Sequence, residues 1–166
     1  EIVGAVAVIR LNRPARLNAL TLELLEALHA HIEQAPDRGA RAILLAGQGR
    51  AFCVGADLIA ASNLRVEEAP LLTHYNPLIE AMASSPIPIV TAVNGAAAGA
   101  GVSLALAGDI VVAAHDAFFL LSFADKGLVP DAGATWLIAK SVGRAKALEM
   151  ALLSERLPAS AALEAG

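Results

Sequence analysis

The sequence is poor in charged and aromatic residues. Charged residues make up 17% of its 166 residues and aromatic residues 4%, whereas hydrophobic residues make up 57%. This composition excludes a disordered chain, because disordered segments contain too few apolar residues to form a core. The length suffices for one domain and is too short for two independent ones. Residues 1–166 are therefore predicted to form a single domain.

The chain also has a single cysteine and no excess of basic residues. The single cysteine, Cys53, excludes an internal disulfide and is interpreted as a small packing residue. The net charge of -4 argues against nonspecific binding to nucleic acid, which depends on dense Lys and Arg. No signal peptide or basic leader precedes Ile2, so we expect a cytoplasmic protein.

No uninterrupted apolar run is long enough to span a membrane. The longest nearly uncharged stretch, Ile87–Ala114, contains Asp109 and is divided by Pro88, Asn94–Gly95 and Gly99. Each apolar piece is far shorter than the roughly 20 residues of a transmembrane helix. We therefore expect no membrane association.

Strand and helix patterns alternate along the chain. Strands are predicted at Val3–Leu11, Ala42–Ala46, Ile89–Val93, Ile110–Ala113 and Phe118–Ser122. Helices are predicted after Thr21 and at Leu71–Ala83, Gly99–Ala107, Asp131–Lys140 and Arg144–Leu153. Thr21 is expected to cap the first helix, whose apolar stripe is Leu25, Leu28 and Ile32. The alternation favours an α/β fold with helical crossovers.

Four motifs, in order, carry a resemblance to a known family. They are Asn12–Pro14 with Leu17–Leu20, Ala51–Leu58, Asn94–Gly101 and Gly127–Asp131. Together they resemble the enoyl-CoA hydratase/isomerase family, also called the crotonase family, over essentially all 166 residues. The resemblance implies a spiral of β-β-α repeats and an acyl-CoA substrate. It implies no separate cofactor, since coenzyme A is part of that substrate.

The resemblance also implies an oxyanion hole made by the backbone N–H groups of Ala56 and Ala100. A helix that opens near Gly99 has N–H groups without intrahelical partners, and such groups can bind a thioester enolate. Gly55, Gly99 and Gly101 are expected to let the ligand approach the backbone. Their alternative interpretation is turn formation and helix packing.

Further residues are expected to bind the substrate or its CoA. By resemblance, Val54, Ala56 and Leu58 border the adenine and pantetheine, and Arg16 lies where the family often has a basic residue near the CoA phosphates. The alternative for Arg16 is a solvated surface charge. Asp57 is favoured as a helix-start carboxylate over a catalytic group. The full candidate set is Arg16, Leu17, Ala19, Val54, Gly55, Asp57, Leu58, Gly99, Gly101, Ser103 and Phe123.

The sequence departs from the family pattern at the acid/base positions. Hydratases of the family use two glutamates, whose places are taken here by Ser103 and Phe123. Neither can be a general base near neutral pH. The remaining carboxylate, Asp131, resembles the acid/base of the branch that contains 1,2-epoxyphenylacetyl-CoA isomerase and related enoyl-CoA isomerases. If catalytic, it should lie in an apolar pocket near Phe123 that raises its pKa.

Several alternatives remain open. Asp131 after Pro130 also fits a helix N-cap. As a nucleophile it would suit an aroyl-CoA dehalogenase, and hydration is a further alternative. A noncatalytic acyl-CoA binding protein would need no base at all.

Two further expectations concern metal binding and assembly. His29 and His31 point in different directions on a helix, which disfavours a metal site. Trp136 and Phe119 are predicted to lie in the core. By resemblance, helices that complete the CoA pocket and mediate trimer or hexamer formation are expected beyond Gly166.

Overall fold

A computed structural model describes residues 1–61 and 70–166. Its strands are β1 (Ile2–Val3), β2 (Val6–Leu11), β3 (Ala42–Gly47), β4 (Ala51–Cys53), β5 (Ile89–Val93), β6 (Ala96–Ala98), β7 (Ile110–Ala113), β8 (Phe118–Leu120) and β9 (Leu157–Pro158). Its α-helices are α1 (Leu22–Gln34), α2 (Leu58–Ala61), α3 (Asn76–Ala83), α4 (Ala100–Leu106), α5 (Ala134–Leu153) and α6 (Ala159–Ala165). A π-helix, Leu71–Tyr75, leads directly into α3, and 3-10 turns occupy Pro14–Arg16 and Ala124–Lys126.

The strands form two sheets that the chain visits in turn. One has the order β1-β2-β3-β5-β7 and the other β4-β6-β8-β9. The pairs β2–β3, β3–β5 and β5–β7, as well as β4–β6 and β6–β8, are parallel. Each of the pairs β3-β4, β5-β6 and β7-β8 places one strand in each sheet and is followed by a helix. This arrangement confirms the predicted spiral of β-β-α repeats.

The first long helix forms as its sequence predicts. The Leu24 amide donates a hydrogen bond of 3.3 Å to the Thr21 hydroxyl, which caps α1. Leu25, Leu28 and Ile32 are buried in the hydrophobic core. Because burial of a leucine or isoleucine side chain contributes about 1.5–3 kcal/mol, this stripe anchors α1 in the core, where α1 packs mainly against α3.

Three local features differ from the predictions. The single strand Val3–Leu11 is a hairpin, since the chain turns at Gly4 with a φ of 60° and Val3 pairs with Val6. The helices predicted on either side of residues 141–143 join at a kink in α5, where Gly143 has a φ of 76° and a ψ of 165°. Alternation in β3 buries Ile43 and leaves its neighbours half-buried, so the predicted burial on both faces is only partly correct.

The prediction that Trp136 lies in the core is wrong. Its side chain is 61% exposed, and the Lys140 ammonium lies 4.4 Å from the centre of its ring. Phe119, by contrast, is buried as expected. Trp136 lies in the first turn of α5, and hydrophobicity alone does not reveal that its side chain is exposed there.

The apolar stretch 87–114 is divided into β5, β6, α4 and β7, as the breaks in its sequence predict. Among the described residues, no helix combines the length and apolarity that a membrane crossing needs.

Two asparagines fix the turn between β3 and β4. The buried Asn18 amide donates hydrogen bonds of 3.0 Å and 2.8 Å to the carbonyls of Gln48 and Ala51. The Asn94 amide donates one of 2.8 Å to the carbonyl of Gly49. This turn leads into β4, and β4 leads directly to the motif around Gly55. The asparagines therefore position the first half of the candidate site.

Candidate active site

A cavity of about 280 Å³ opens where the motifs meet. Its lining is mostly apolar and comes from the segment before α1, the end of β4 with α2, the π-helix, the start of α4 and the segment before α5. The lining residues are Leu20, Thr21, Leu22, Val54, Ala56, Asp57, Leu58, Ala60, Pro70, Leu71, Tyr75, Gly99, Ala100, Ser122, Phe123, Lys126, Leu128 and Asp131. Eight of the predicted site residues are thus brought together: Val54, Ala56, Asp57, Leu58, Gly99, Ala100, Phe123 and Asp131.

The N–H group of Ala56 faces away from the neighbouring backbone. In the parallel bridge between Leu20 and Ala56, the Leu20 amide donates to the Gly55 carbonyl at 2.8 Å, and the Asp57 amide donates to the Leu20 carbonyl at 2.9 Å. In such a bridge the central residue directs its own N–H to the opposite side. The Ala56 N–H is therefore not used by the Leu20 segment, and Ala56 itself lines the cavity.

The second predicted donor, Ala100, lies against the same segment. A Cβ atom on Gly55 would be 3.1 Å from the Ala100 nitrogen and 2.9 Å from the Ala98 carbonyl oxygen. Gly55 is therefore glycine because two backbone segments meet there. Ala100 is the first residue of α4, and N–H groups of a first helical turn have no intrahelical acceptor.

Gly99 and Gly101 have different structural roles. Gly99 lines the cavity with a φ of 53° and a ψ of -130°, a conformation essentially restricted to glycine. Gly101 is buried, and a Cβ atom there would lie 2.2 Å from the Cys53 carbonyl oxygen. The expectation that Gly101 admits a ligand is therefore wrong, because the group that approaches it is β4. Its alternative interpretation, helix packing, is the correct one.

Asp131 lies half-buried in the cavity with Phe123, as predicted. Burial raises the pKa of its carboxyl group above the ordinary range. Its Oδ1 atom is buried and has no hydrogen-bond partner among the described residues. The first helical residue of α5 is Ala134, preceded by Gly133, and no side-chain bond caps this helix. The structure thus does not support the N-cap interpretation of Asp131.

Tyr75 also lines the cavity, although no motif in the sequence pointed to it. It ends the π-helix and faces the same space as Asp131. Burial, and secondarily the charge of Asp131, raises the pKa of its hydroxyl above the ordinary range. The available sequence signal was that Tyr75 is the only tyrosine of the chain and lies within the helix predicted at Leu71–Ala83.

Asp57 stabilises the structure around the site. Its Oδ1 atom accepts hydrogen bonds of 3.2 Å from the amides of Ile59 and Ala60, which confirms the helix-start interpretation. Its Oδ2 atom is 2.9 Å from Nη2 of Arg13, and the hydrogen bond from Arg13 is the main reason for the lowered pKa of Asp57. Arg13 also donates to the Ala19 carbonyl. Arg13, rather than the predicted Arg16, is thus the arginine that bonds to a residue of the cavity lining.

The remaining candidates lie outside the cavity lining. Arg16 is exposed on a 3-10 turn, Leu17 is half-buried and Ala19 is buried. Their contact with CoA stays a prediction. Gly55 lies behind the lining, and the completely buried Ser103 donates a hydrogen bond of 3.2 Å to the Asp131 carbonyl oxygen. Direct contact of Ser103 with substrate is therefore not what the structure shows.

Histidine and cysteine do not build a second site. Within residues 1–61 and 70–166, no three His, Cys, Asp or Glu side chains converge in a way that could hold a metal ion. Cys53 is completely buried, and this burial raises the pKa of its thiol to about 12. A thiol with this pKa is not a nucleophile near neutral pH, which agrees with a packing role.

Comparison with known proteins connects this cavity to a family. The sequence model of the enoyl-CoA hydratase/isomerase family matches residues 1–166. A probable enoyl-CoA hydratase of Rhodobacter capsulatus is 48% identical over 169 residues, covering 100% of this chain and 65% of that protein. The 1,2-epoxyphenylacetyl-CoA isomerase of Escherichia coli is 44% identical over 167 residues, covering 97% and 64%.

Solved structures agree with the sequence relatives. The crystal structure of an enoyl-CoA hydratase from Mycobacterium avium subsp. paratuberculosis has a TM-score of 0.92 and 40% identity, and the match covers 100% of this chain and 67% of that one. The chain spans about 65% of the length of the curated relatives named above. The matches in sequence and in fold cover the whole chain and include every motif that builds the cavity, so the chain belongs to the enoyl-CoA hydratase/isomerase family.

Proposed function

We propose that the full-length protein is an acyl-CoA isomerase that shifts a double bond through a thioester enolate. The observation that carries this proposal is the different hydrogen bonding of the two carboxylates among the described residues of the cavity, Asp57 and Asp131. The Asp57 carboxylate already accepts hydrogen bonds from Arg13 and from two backbone amides. Asp131 has an unpartnered, buried oxygen and a raised pKa. Asp131 is therefore the group that is free to exchange a proton with a ligand.

In the proposed reaction, the Asp131 carboxylate removes a proton from a carbon of the acyl chain. The negative charge moves onto the thioester oxygen, where the N–H groups of Ala56 and Ala100 donate hydrogen bonds to it. The carboxylic acid then returns the proton to another carbon, so one acid/base suffices. Each oxyanion donor contributes roughly 10²–10³ in rate in other enzymes. No separate cofactor is required, since coenzyme A arrives with the substrate.

Hydration is the second candidate, and the name of the probable hydratase relative favours it. Addition of water requires a base that activates the nucleophile as well as a group that protonates the neighbouring carbon. Phe123 supplies no such group, and the Ser103 hydroxyl already bonds to the Asp131 carbonyl. Asp131 is the one carboxylate among the described cavity residues that is not already held by other groups, and a single available acid/base favours isomerisation over hydration.

The test supplies the full-length protein with 2-enoyl-CoA and 3-enoyl-CoA and follows hydration and double-bond migration separately. We expect migration to dominate and Asp131→Asn to lower its kcat by about 10²–10⁴ while acyl-CoA binding is retained. Asp125→Asn is the matched control, because Asp125 is an exposed carboxylate on the nearby 3-10 turn.

Three results would contradict the proposal. Faster hydration than migration would identify a hydratase. Unchanged properties of Asp131→Asn would favour a noncatalytic acyl-CoA binding protein. Halide release from a haloaroyl-CoA would favour the nucleophilic role of Asp131 found in aroyl-CoA dehalogenases.

A further inference from the structure

Ser103 links the two halves of the candidate site. It lies in α4, the helix that begins with Ala100, and its side chain is completely buried. Its hydroxyl donates a hydrogen bond of 3.2 Å to the Asp131 carbonyl oxygen, 28 residues away in sequence. Residues three apart in a helix lie on the same face, so Ala100 and Ser103 face the Asp131 side of α4 together.

The backbone around Asp131 is in an uncommon conformation. Ala132 has a φ of 47° and Gly133 a φ of 78°, so two successive residues adopt the left-handed region. An alanine rarely adopts this conformation, and it persists only where the surroundings hold it. Here the Asp131 carbonyl oxygen accepts two hydrogen bonds, one from the Ser103 hydroxyl and one of 2.8 Å from the Ala134 amide. These two bonds hold the conformation. Ser103 supplies the one that comes from another element.

We infer that Ser103 is a positioning residue that sets the place of the Asp131 carboxylate relative to the Ala100 N–H group. Helix α4 carries both the oxyanion donor and the hydroxyl that holds Asp131. The positions of the base and of the enolate-binding group are therefore both set by this helix. This inference rests on the proposed function of Asp131, and it adds to it a residue that does not touch the substrate.

The chain offers a matched control on the same helix. Thr91 is also completely buried, and its hydroxyl donates a hydrogen bond of 2.7 Å to the Ala105 carbonyl of α4. Ser103→Ala and Thr91→Val each remove one buried bond from a hydroxyl to a carbonyl. Both are expected to lower stability, but only the first releases Asp131.

The experiment compares the two variants in the full-length protein. We expect Ser103→Ala to lower kcat for double-bond migration by about 10- to 100-fold, as for a misplacement of about 1 Å, with KM changed by less than about threefold. Thr91→Val should keep the wild-type kcat. Ser103→Cys, which keeps the size and a weak donor, should fall between Ser103→Ala and the wild type.

A second readout does not depend on turnover. The titration midpoint of the Asp131 carboxyl, followed by carbon-13 NMR, should move towards the ordinary aspartate range in Ser103→Ala and stay in place in Thr91→Val. Equal kcat and equal midpoints in the two variants would overturn the inference. If the midpoint moves in Ser103→Ala but Asp131→Asn retains full turnover, the positioning by Ser103 stands and the proposed function of Asp131 fails.

Discussion

Arg13 and Asp57 join the segment before α1 to the start of α2, with 2.9 Å between Nη2 of Arg13 and Oδ2 of Asp57. The pair lies at the edge of the cavity, since Asp57 lines it next to Ala56. An arginine that binds a carboxylate and a backbone carbonyl at once fixes both segments. The oxyanion segment is thus held by a side chain that takes no part in the proposed chemistry.

Removal of this arginine should produce a pH-dependent loss of stability. The folded protein lowers the pKa of Asp57, so the stabilisation is complete above the ordinary aspartate pKa and is lost as the pH falls through the lowered value. Arg13→Gln should therefore unfold at lower urea concentration than the wild type at pH 7, and the difference should shrink below about pH 4. Arg16→Gln is the control, since Arg16 is exposed. A difference that does not vary with pH would contradict the assignment.

Replacement of the candidate base should have the opposite effect on stability. Burial raises the pKa of Asp131, so its ionised form destabilises the folded state as the pH rises from the ordinary pKa through the raised one. Asp131→Asn should therefore melt at a higher temperature than the wild type at pH 7, and the two should converge below about pH 4. Calorimetry across this range checks the sign. A less stable variant at pH 7 would show that the carboxylate has a structural partner.

Replacement by alanine should destabilise the protein for different reasons at Gly99 and Gly101, the two glycines at the start of α4. Gly101→Ala forces a Cβ atom to within 2.2 Å of the Cys53 carbonyl oxygen, and we expect a loss of about 3 kcal/mol or more. Gly99→Ala meets only ordinary contacts, the nearest at 3.8 Å, and costs about 1–3 kcal/mol through its backbone conformation.

Activity distinguishes the two glycines further. We expect Gly99→Ala to lower kcat by about 100-fold at temperatures where it is folded, because it displaces the Ala100 N–H group. Urea unfolding and steady-state kinetics on the same samples separate the effects. Equal loss of stability with unchanged kcat would argue against an oxyanion role for Ala100.

The buried amide of Asn18 should contribute strongly to stability. Asn18→Ala leaves the carbonyls of Gln48 and Ala51 without their side-chain donor, and we expect a loss of about 2–3 kcal/mol in the free energy of unfolding. Asn94→Ala removes the donor to the Gly49 carbonyl and the acceptor of the Gly47 amide at a half-buried position, where water can replace the side chain, so its effect should be smaller. Urea titration of both variants tests the order, and an equal or larger effect at Asn94 would contradict it.

Much of the fold could be predicted because its signals are local. The stripe of Leu25, Leu28 and Ile32 repeats with the helical period, and Thr21 has a hydroxyl at the position of a cap. Whether a residue is buried in the core depends instead on contacts between segments that are distant in sequence. Trp136 has the hydrophobicity of a core residue and is nevertheless exposed, because only the packing of α5 determines which of its faces meets another element.

The sequence by itself determined the α/β class through its alternating strand and helix patterns, and the resemblance of its motifs to a known family led to the spiral fold and to Asp131 as the carboxylate of interest. Only the tertiary structure decided that Asp57 is held by Arg13, that Tyr75 shares the cavity and that Ser103 bonds to the Asp131 backbone rather than facing substrate. These contacts join residues from distant parts of the chain. Their partners are fixed by sheet register and helix packing, which no local pattern in the sequence encodes.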